Sequence, residues 1–220
     1  YTKNIIELNH SNNKENYFLK GLLEMDGEKS KSLFEQYSTE FPKNQYADDS
    51  IVKVAEYYYA KGLYIQSSDW YKKIITDYPK SKNFQKSVSY FLNSLIIAGN
   101  KDTADFYIDK LKLSNPKLNF SNEYLIENSL KKKNNKSSGK DYDMFSVQVA
   151  AYQNYDSANN TRKILNNEGF VSRIDEILVN GNLIYSVRVG VFKTEELARK
   201  EQKRLISRIG IYDSIIIELK

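Results

Sequence analysis

The sequence has no cysteine, which excludes disulfides and thiolate metal sites and leaves the redox compartment open. It has one histidine, His10, in an Asn-rich stretch with no second imidazole to work beside it. His-x-x-x-His zinc sites are therefore missing, and the sequence shows no nucleophile–histidine pairing and no glycine-rich phosphate loop. The paired acids Glu195/Glu196 and Asp48/Asp49 fall at expected helix starts, where the helix dipole accounts for them. Nothing indicates two carboxylates facing each other across a groove, as glycoside cleavage requires. The chain reads as a non-enzyme without cofactor or metal. No run of 18 apolar residues exists, so no transmembrane helix is expected. The chain opens at Tyr1 instead of methionine, which reads as a trimmed or processed start that has taken any targeting segment or lipid anchor with it. A charged face is lacking as well. The formal net charge is +5, and 131–140 alone holds Lys131, Lys132, Lys133, Lys136 and Lys140 with no acid. The flanking parts are nearly neutral, which argues against a nucleic-acid partner.

What is present is repetition. Phe145-Ser146-Val147-Gln148-Val149-Ala150-Ala151-Tyr152 returns 40 residues later as Tyr185-Ser186-Val187-Arg188-Val189-Gly190-Val191-Phe192, and the echo runs on through Ala158/Ala198, Lys163/Lys203 and Leu165/Leu205. Each copy reads as a strand with period-2 alternation followed by an amphipathic helix. Between the copies, 171–179 is a second strand closed by the hairpin signal Asn180-Gly181, and after Gly210 residues 211–219 supply a fourth. The order β-α-β-β-α-β is that of a ferredoxin-like α+β unit. Alternation puts Phe145, Val147, Val149, Tyr185, Val187 and Val189 under the helices. Ser146, Gln148, Ile184, Ser186 and Arg188 fall on the opposite face, which is either a solvated surface or a place to meet a ligand. Gln148 and Arg188 should lie side by side or one strand apart. An RNA-binding sheet is disfavoured, because Ile184, Ser186 and Arg188 stand where stacking rings are needed.

The three prolines reveal a second repeat. Pro42, Pro79 and Pro116 are spaced 37 apart, and with them travel Lys43/Lys80/Lys117, Ser30/Ser67/Ala104, Phe34/Tyr71/Ile108 and Gly62/Gly99. Small residues that admit a neighbouring helix, an aromatic or aliphatic residue four on, and a helix-stopping proline describe an all-α solenoid of stacked helix pairs. The middle pair is expected at 47–61 and 64–78, with Ala55 against Ser67, and a last helix at 122–132 closes the stack. Tyr57, Tyr58 and Tyr59 cannot all be core, since successive helical residues are 100° apart. Placing Tyr58 inside pushes Tyr59 and Val52, with Glu56 beside them, toward a concave groove for a partner; packing between helices is the other account of these tyrosines. Residues 133–143 (KNNKSSGKDYD) form a lysine-rich linker spanning roughly 15–20 Å. The domains are thus drawn as 1–132, 133–143 and 144–220.

Two resemblances attach to these motifs. The strands "FSVQVAAY" and "YSVRVGVF", the latter followed by a Glu-Glu-x-Ala helix, make 141–220 similar to the SPOR domain, a bacterial cell-envelope module that binds peptidoglycan glycan strands stripped of stem peptides. The resemblance implies a periplasmic or outer-membrane-associated protein, with a role in cell division among the possibilities. It implies a glycan site of Ser146, Gln148, Tyr152, Ile184, Ser186, Arg188 and Phe192, with Tyr152 and Phe192 serving either as an apolar edge for a sugar ring or as packing under the loops. The phrases "DYP" and "EFP" with Tyr46-Ala47 make the helical part resemble tetratricopeptide repeats of envelope accessory lipoproteins, which implies an envelope protein or peptide as partner. Two functions follow: an adaptor that grips glycan and a protein, or an assembly scaffold without glycan affinity. The second draws on Ala150 and Val191, which stand where the resembled family favours glycine and proline.

Overall fold

The computed structural model describes residues 14–120 and 143–219. The expected helix over 122–132 and the linker, save Asp143, lie outside them. The chain divides into two compact units, Tyr1–Ile97 and Ala98–Lys220.

The first unit holds helices α1 (Lys14–Leu23), α2 (Gly27–Glu40), α3 (Ala47–Ala60), α4 (Tyr64–Asp77) and α5 (Phe84–Ile97), each packed on the next. In the second unit α6 (Lys101–Ser114) comes first. The 37-residue period is conformational as well as compositional. Helices α2, α4 and α6 end on Phe41, Tyr78 and Asn115, whose N–H groups bond back to Tyr37, Ile74 and Leu111. A proline follows each time, and the residue before proline is driven out of the helical region. Three residues past each cap, Asn44, Ser81 and Leu118 donate back to the cap carbonyl.

Where the middle pair meets, Ala55 is fully buried and its carbonyl accepts the Ser67 hydroxyl at 3.0 Å, so small side chains bring the two backbones together. At the equivalent place in the first pair a large residue is used. Phe18 stacks on Tyr46 with ring centroids 4.6 Å apart and meets Phe34 edge-on. Room comes from Gly21, where a Cβ would lie 2.8 Å from the Phe34 ring.

After α6 the second unit continues as β1 (Met144–Tyr152), α7 (Tyr155–Asn167), β2 (Ser172–Val179), β3 (Asn182–Phe192), α8 (Glu195–Ile209) and β4 (Ile215–Leu219). The strands form one antiparallel sheet in the order β2-β3-β1-β4. This is an all-α region followed by an α+β domain, as the two sequence repeats foretell. Asn154 caps α7 and Thr194 caps α8 through their side-chain oxygens, and Gly210 ends α8 in the left-handed conformation. The β2–β3 turn is Asn180-Gly181 with both φ angles positive, the geometry that matches strand twist. The core beneath the helices joins Val147, Val187 and Val189 to Leu165, Phe170 and Leu205. Helix α6 packs on β3.

Candidate functional site

The β1–β3 ladder is broken by two bulges, and they decide which side chains share the face away from α7 and α8. The pairing steps from Phe145↔Phe192 to Val147↔Val189, so Gly190 and Val191 together oppose the single residue Ser146. It then steps from Gln148↔Arg188 to Ala150↔Val187, so Val149 is the extra residue, this time in β1. Gly190 adopts φ 61°, which suits the first bulge position. The Ser146 hydroxyl serves the two carbonyls that the bulge crowds together, Val189 at 3.1 Å and Gly190 at 2.7 Å.

Between the bulges Gln148 and Arg188 are direct cross-strand partners, as their place in the echo requires. A hydrogen-bonded row runs through them. Arg188 Nη1 donates to Asp175 Oδ2 at 2.9 Å and its Nε to Ser186 Oγ at 3.1 Å, while Ser186 Oγ donates to Gln148 Oε1 at 2.8 Å. Arg173, cross-strand partner of Arg188 on β2, holds the other side of Asp175 through Nε and reaches Gly190 O through Nη1 at 2.7 Å. The row fixes side-chain torsions before any ligand arrives, which lowers the ordering cost of binding. Among the described residues, the Gln148 amide N–H₂ and Arg188 Nη2 donate to no protein group, so the row keeps donors for something else. Ile177 and Ile184, paired in register, flank it toward the hairpin, and Ile215 and Ile217 flank it on β4. The arrangement is a polar strip between two aliphatic margins. It suits a ligand with hydroxyl and carbonyl groups along its length and apolar faces at its sides.

Two of the expected site residues need correction. Strict alternation would carry Tyr152 and Phe192 onto the face of Gln148 and Arg188, but each strand contains one bulge and each bulge shifts the phase by one residue. Tyr152 is consequently paired with Tyr185 on the helix-covered side, with its hydroxyl 2.8 Å from Thr161 Oγ1 of α7. Phe192 is paired with Phe145 and packs against the same core. Ser146 keeps the expected face but is fully buried in its work on the bulge, and Ser186 is likewise buried beneath its two partners. Gln148, Arg188 and Ile184 remain partly accessible. Sequence reasoning missed Arg173 and Asp175. They lie in β2, outside the 40-residue echo, and the signal for them was their own alternation, i and i+2 on one face.

In the first unit the expected groove residues separate. Val52 is only 4% exposed and belongs to the core. Glu56 bridges Lys53 at 3.0 Å and Lys86 at 2.7 Å. Burial works against its charge, but the two lysines prevail and hold its carboxyl below the usual range. Tyr59 is edge-on to Tyr64 and Tyr90.

These features define a ferredoxin-like sheet domain with a polar, preorganised open face. More specifically, residues 142–218 match the family model of the SPOR domain, so the C-terminal part of the chain carries a SPOR domain. Among solved structures, the chain is similar to the solution structure of the peptidoglycan binding domain of the B. subtilis cell wall lytic enzyme CwlC. The identity is 23%, the match covers 39% of this chain and 99% of that one, and the TM-score is 0.31. No curated protein matches the chain. Among the described residues no helix is long and apolar enough to cross a membrane.

Proposed function

We propose that the protein is a non-catalytic adaptor of the bacterial cell envelope whose SPOR domain binds peptidoglycan glycan strands, those poor in stem peptides above all. The observation that carries this reading is the row Asp175–Arg188–Ser186–Gln148 on the open sheet face of a SPOR domain. One carboxylate, Asp175, stands between the two guanidiniums of Arg173 and Arg188, which leaves a single net positive charge, and the spare donors are an amide and a guanidinium edge. Such a strip favours a polyol with acetamido and hydroxyl oxygens over a phosphate backbone, which calls for a basic surface. On this reading the domain binds the glycan without turning it over. The helical region, read as tetratricopeptide-like repeats over 1–132, would hold an envelope protein or peptide. The place of action on this reading is the periplasm or the outer membrane, with an N-terminal lipid anchor as one means of attachment.

Co-sedimentation with purified wall sacculi, before and after amidase treatment, tests the proposal. The chain should pellet with the wall, more so once stem peptides are removed. Arg188→Ala should weaken binding by about 1–3 kcal/mol, roughly ten- to a hundredfold, through loss of a charge-assisted hydrogen bond and collapse of the row behind it. If the wild-type chain stays in the supernatant even with stripped wall, the scaffold function replaces this one.

A further inference from the structure

Two cations on the open sheet face share one anion, although both are largely out of water. The Arg173 and Arg188 side chains are only 9% and 16% exposed, and both bond to Asp175. Among the described residues, Asp175 is the sole carboxylate that the four strands present on this face, since Glu176 and Glu218 alternate to the other side. Neighbouring positions supply no second anion: Ile177 and Ile184 lie on one flank, Ile215 and Ile217 on the other. A desolvated guanidinium is costly unless its charge and its donors are matched. Arg173 directs Nη1 to the Gly190 carbonyl at 2.7 Å, away from Gln148. Arg188 engages Asp175 through Nη1 and Ser186 through Nε, and its Nη2 is left over. The Gln148 side chain meets the same Ser186 Oγ through Oε1 at 2.8 Å, so its own unused N–H₂ ends beside the guanidinium.

We propose that the missing anion is a carboxylate of the ligand, and that Arg188 is the residue by which the domain tells stripped wall from unstripped. The inference rests on the glycan reading and sharpens it. In peptidoglycan the stem peptide is joined to a sugar-borne carboxyl group through an amide. An amidase hydrolyses that bond, so that the amine leaves with the peptide and the sugar keeps a carboxylate. Stripping therefore makes two changes at once: it removes bulk, and it turns a neutral amide into an anion on each stripped sugar.

The row responds to the second change. A carboxylate accepts from a guanidinium in a short, charge-assisted bond, whereas an amide carbonyl at the same place makes a weaker, neutral one. Arg188 is mostly desolvated and already held by Asp175 and Ser186, so the new pair forms in a low dielectric and orders little that was loose. The Gln148 amide donates equally well to an amide carbonyl and to a carboxylate, which leaves the discrimination to Arg188. One uncompensated charge suits one carboxylate. It is too little for a polyanion, whose capture takes many cations.

The test uses the full chain at high salt, which screens the lysine run of 131–140. Amidase-treated sacculi are divided, and in one half the carboxylates are capped with methylamine through a carbodiimide, which restores a neutral amide without restoring the peptide. The wild type should co-sediment with the free-acid wall roughly tenfold or more tightly than with the capped wall. Arg188→Gln, checked for an unchanged circular-dichroism spectrum, should hold the two forms alike. Equal retention of both forms by the wild type, a comparison that needs no variant, overturns the carboxylate contact and leaves the glycan reading intact. A preference for the free acid that survives in Arg188→Gln overturns the role of Arg188. If the wild type retains neither form, the glycan reading fails and this inference fails with it.

Discussion

Two buried hydroxyls in the helical unit make opposite cases. Ser67 is fully buried and donates to the Ala55 carbonyl, so its polar atom contributes to the approach of α3 and α4. Tyr71 is also fully buried, its ring stacks on Tyr90, and its hydroxyl has no partner among the described residues. Burial, with the nearby Glu56 carboxylate, drives that phenol's pKa far above its ordinary value. A buried hydroxyl without a partner forfeits its hydration and gains nothing in return. Tyr71→Phe should therefore leave the melting temperature unchanged or raise it. Ser67→Ala should lower stability by about 1 kcal/mol. A clear loss of stability in Tyr71→Phe would mean that the hydroxyl has a partner in solution.

At the level of elements the bulges matter most. Gly190 must hold φ 61°, and a Cβ there would come within 2.3 Å of the Phe192 ring, whereas Gly181 in the hairpin turn has φ 80° and open space around it. Gly181→Ala should cost about 1–2 kcal/mol from backbone strain alone. Gly190→Ala should cost more, by a further ~1–3 kcal/mol of overpacking, and Phe192→Ala in the same chain should relieve part of that excess. Equal denaturation midpoints for the two glycine variants would refute the close ring contact. The same bulges mark the limit of what could be read from the sequence. The 40-residue echo is enough to reveal β1, β3, the helix after each and the pairing of Gln148 with Arg188, because those depend on short-range alternation and helical periodicity, and Asn180-Gly181 marks the turn between the other strand and β3. It could not show that each strand carries one extra residue, since a bulge changes no composition. Tyr152 and Phe192 therefore fell on the wrong side. Val52 was misplaced for a related reason: a helix face was assigned from one neighbour, Tyr58, although Tyr57, Tyr58 and Tyr59 are all half-buried and none fixes the inward direction.

Charge is a property of the whole molecule, and its uneven distribution separates two ways of holding a wall polymer. The formal net charge of +5 equals the lysine content of 131–140, so the rest of the chain is close to neutral. Attraction between that lysine run and a carboxylate-bearing wall would act over several ångströms of water and fade as the Debye length shrinks from ~10 Å at 0.1 M salt to ~3 Å at 1 M. Hydrogen bonds from the Gln148–Arg188 row act at contact, and Arg188 is already paired with Asp175, so they should survive high salt. Replacing Lys131, Lys132, Lys133 and Lys136 with alanine should flatten the salt dependence of sacculus binding and leave high-salt binding nearly intact. Arg188→Ala should do the reverse, with residual binding at low salt that disappears at high salt. Measuring both variants and the wild type at low and high salt distinguishes the contributions. If wild-type binding vanishes at high salt and the lysine variant fails to bind at any salt, the lysine run is the adhesive and the sheet face is not a glycan site.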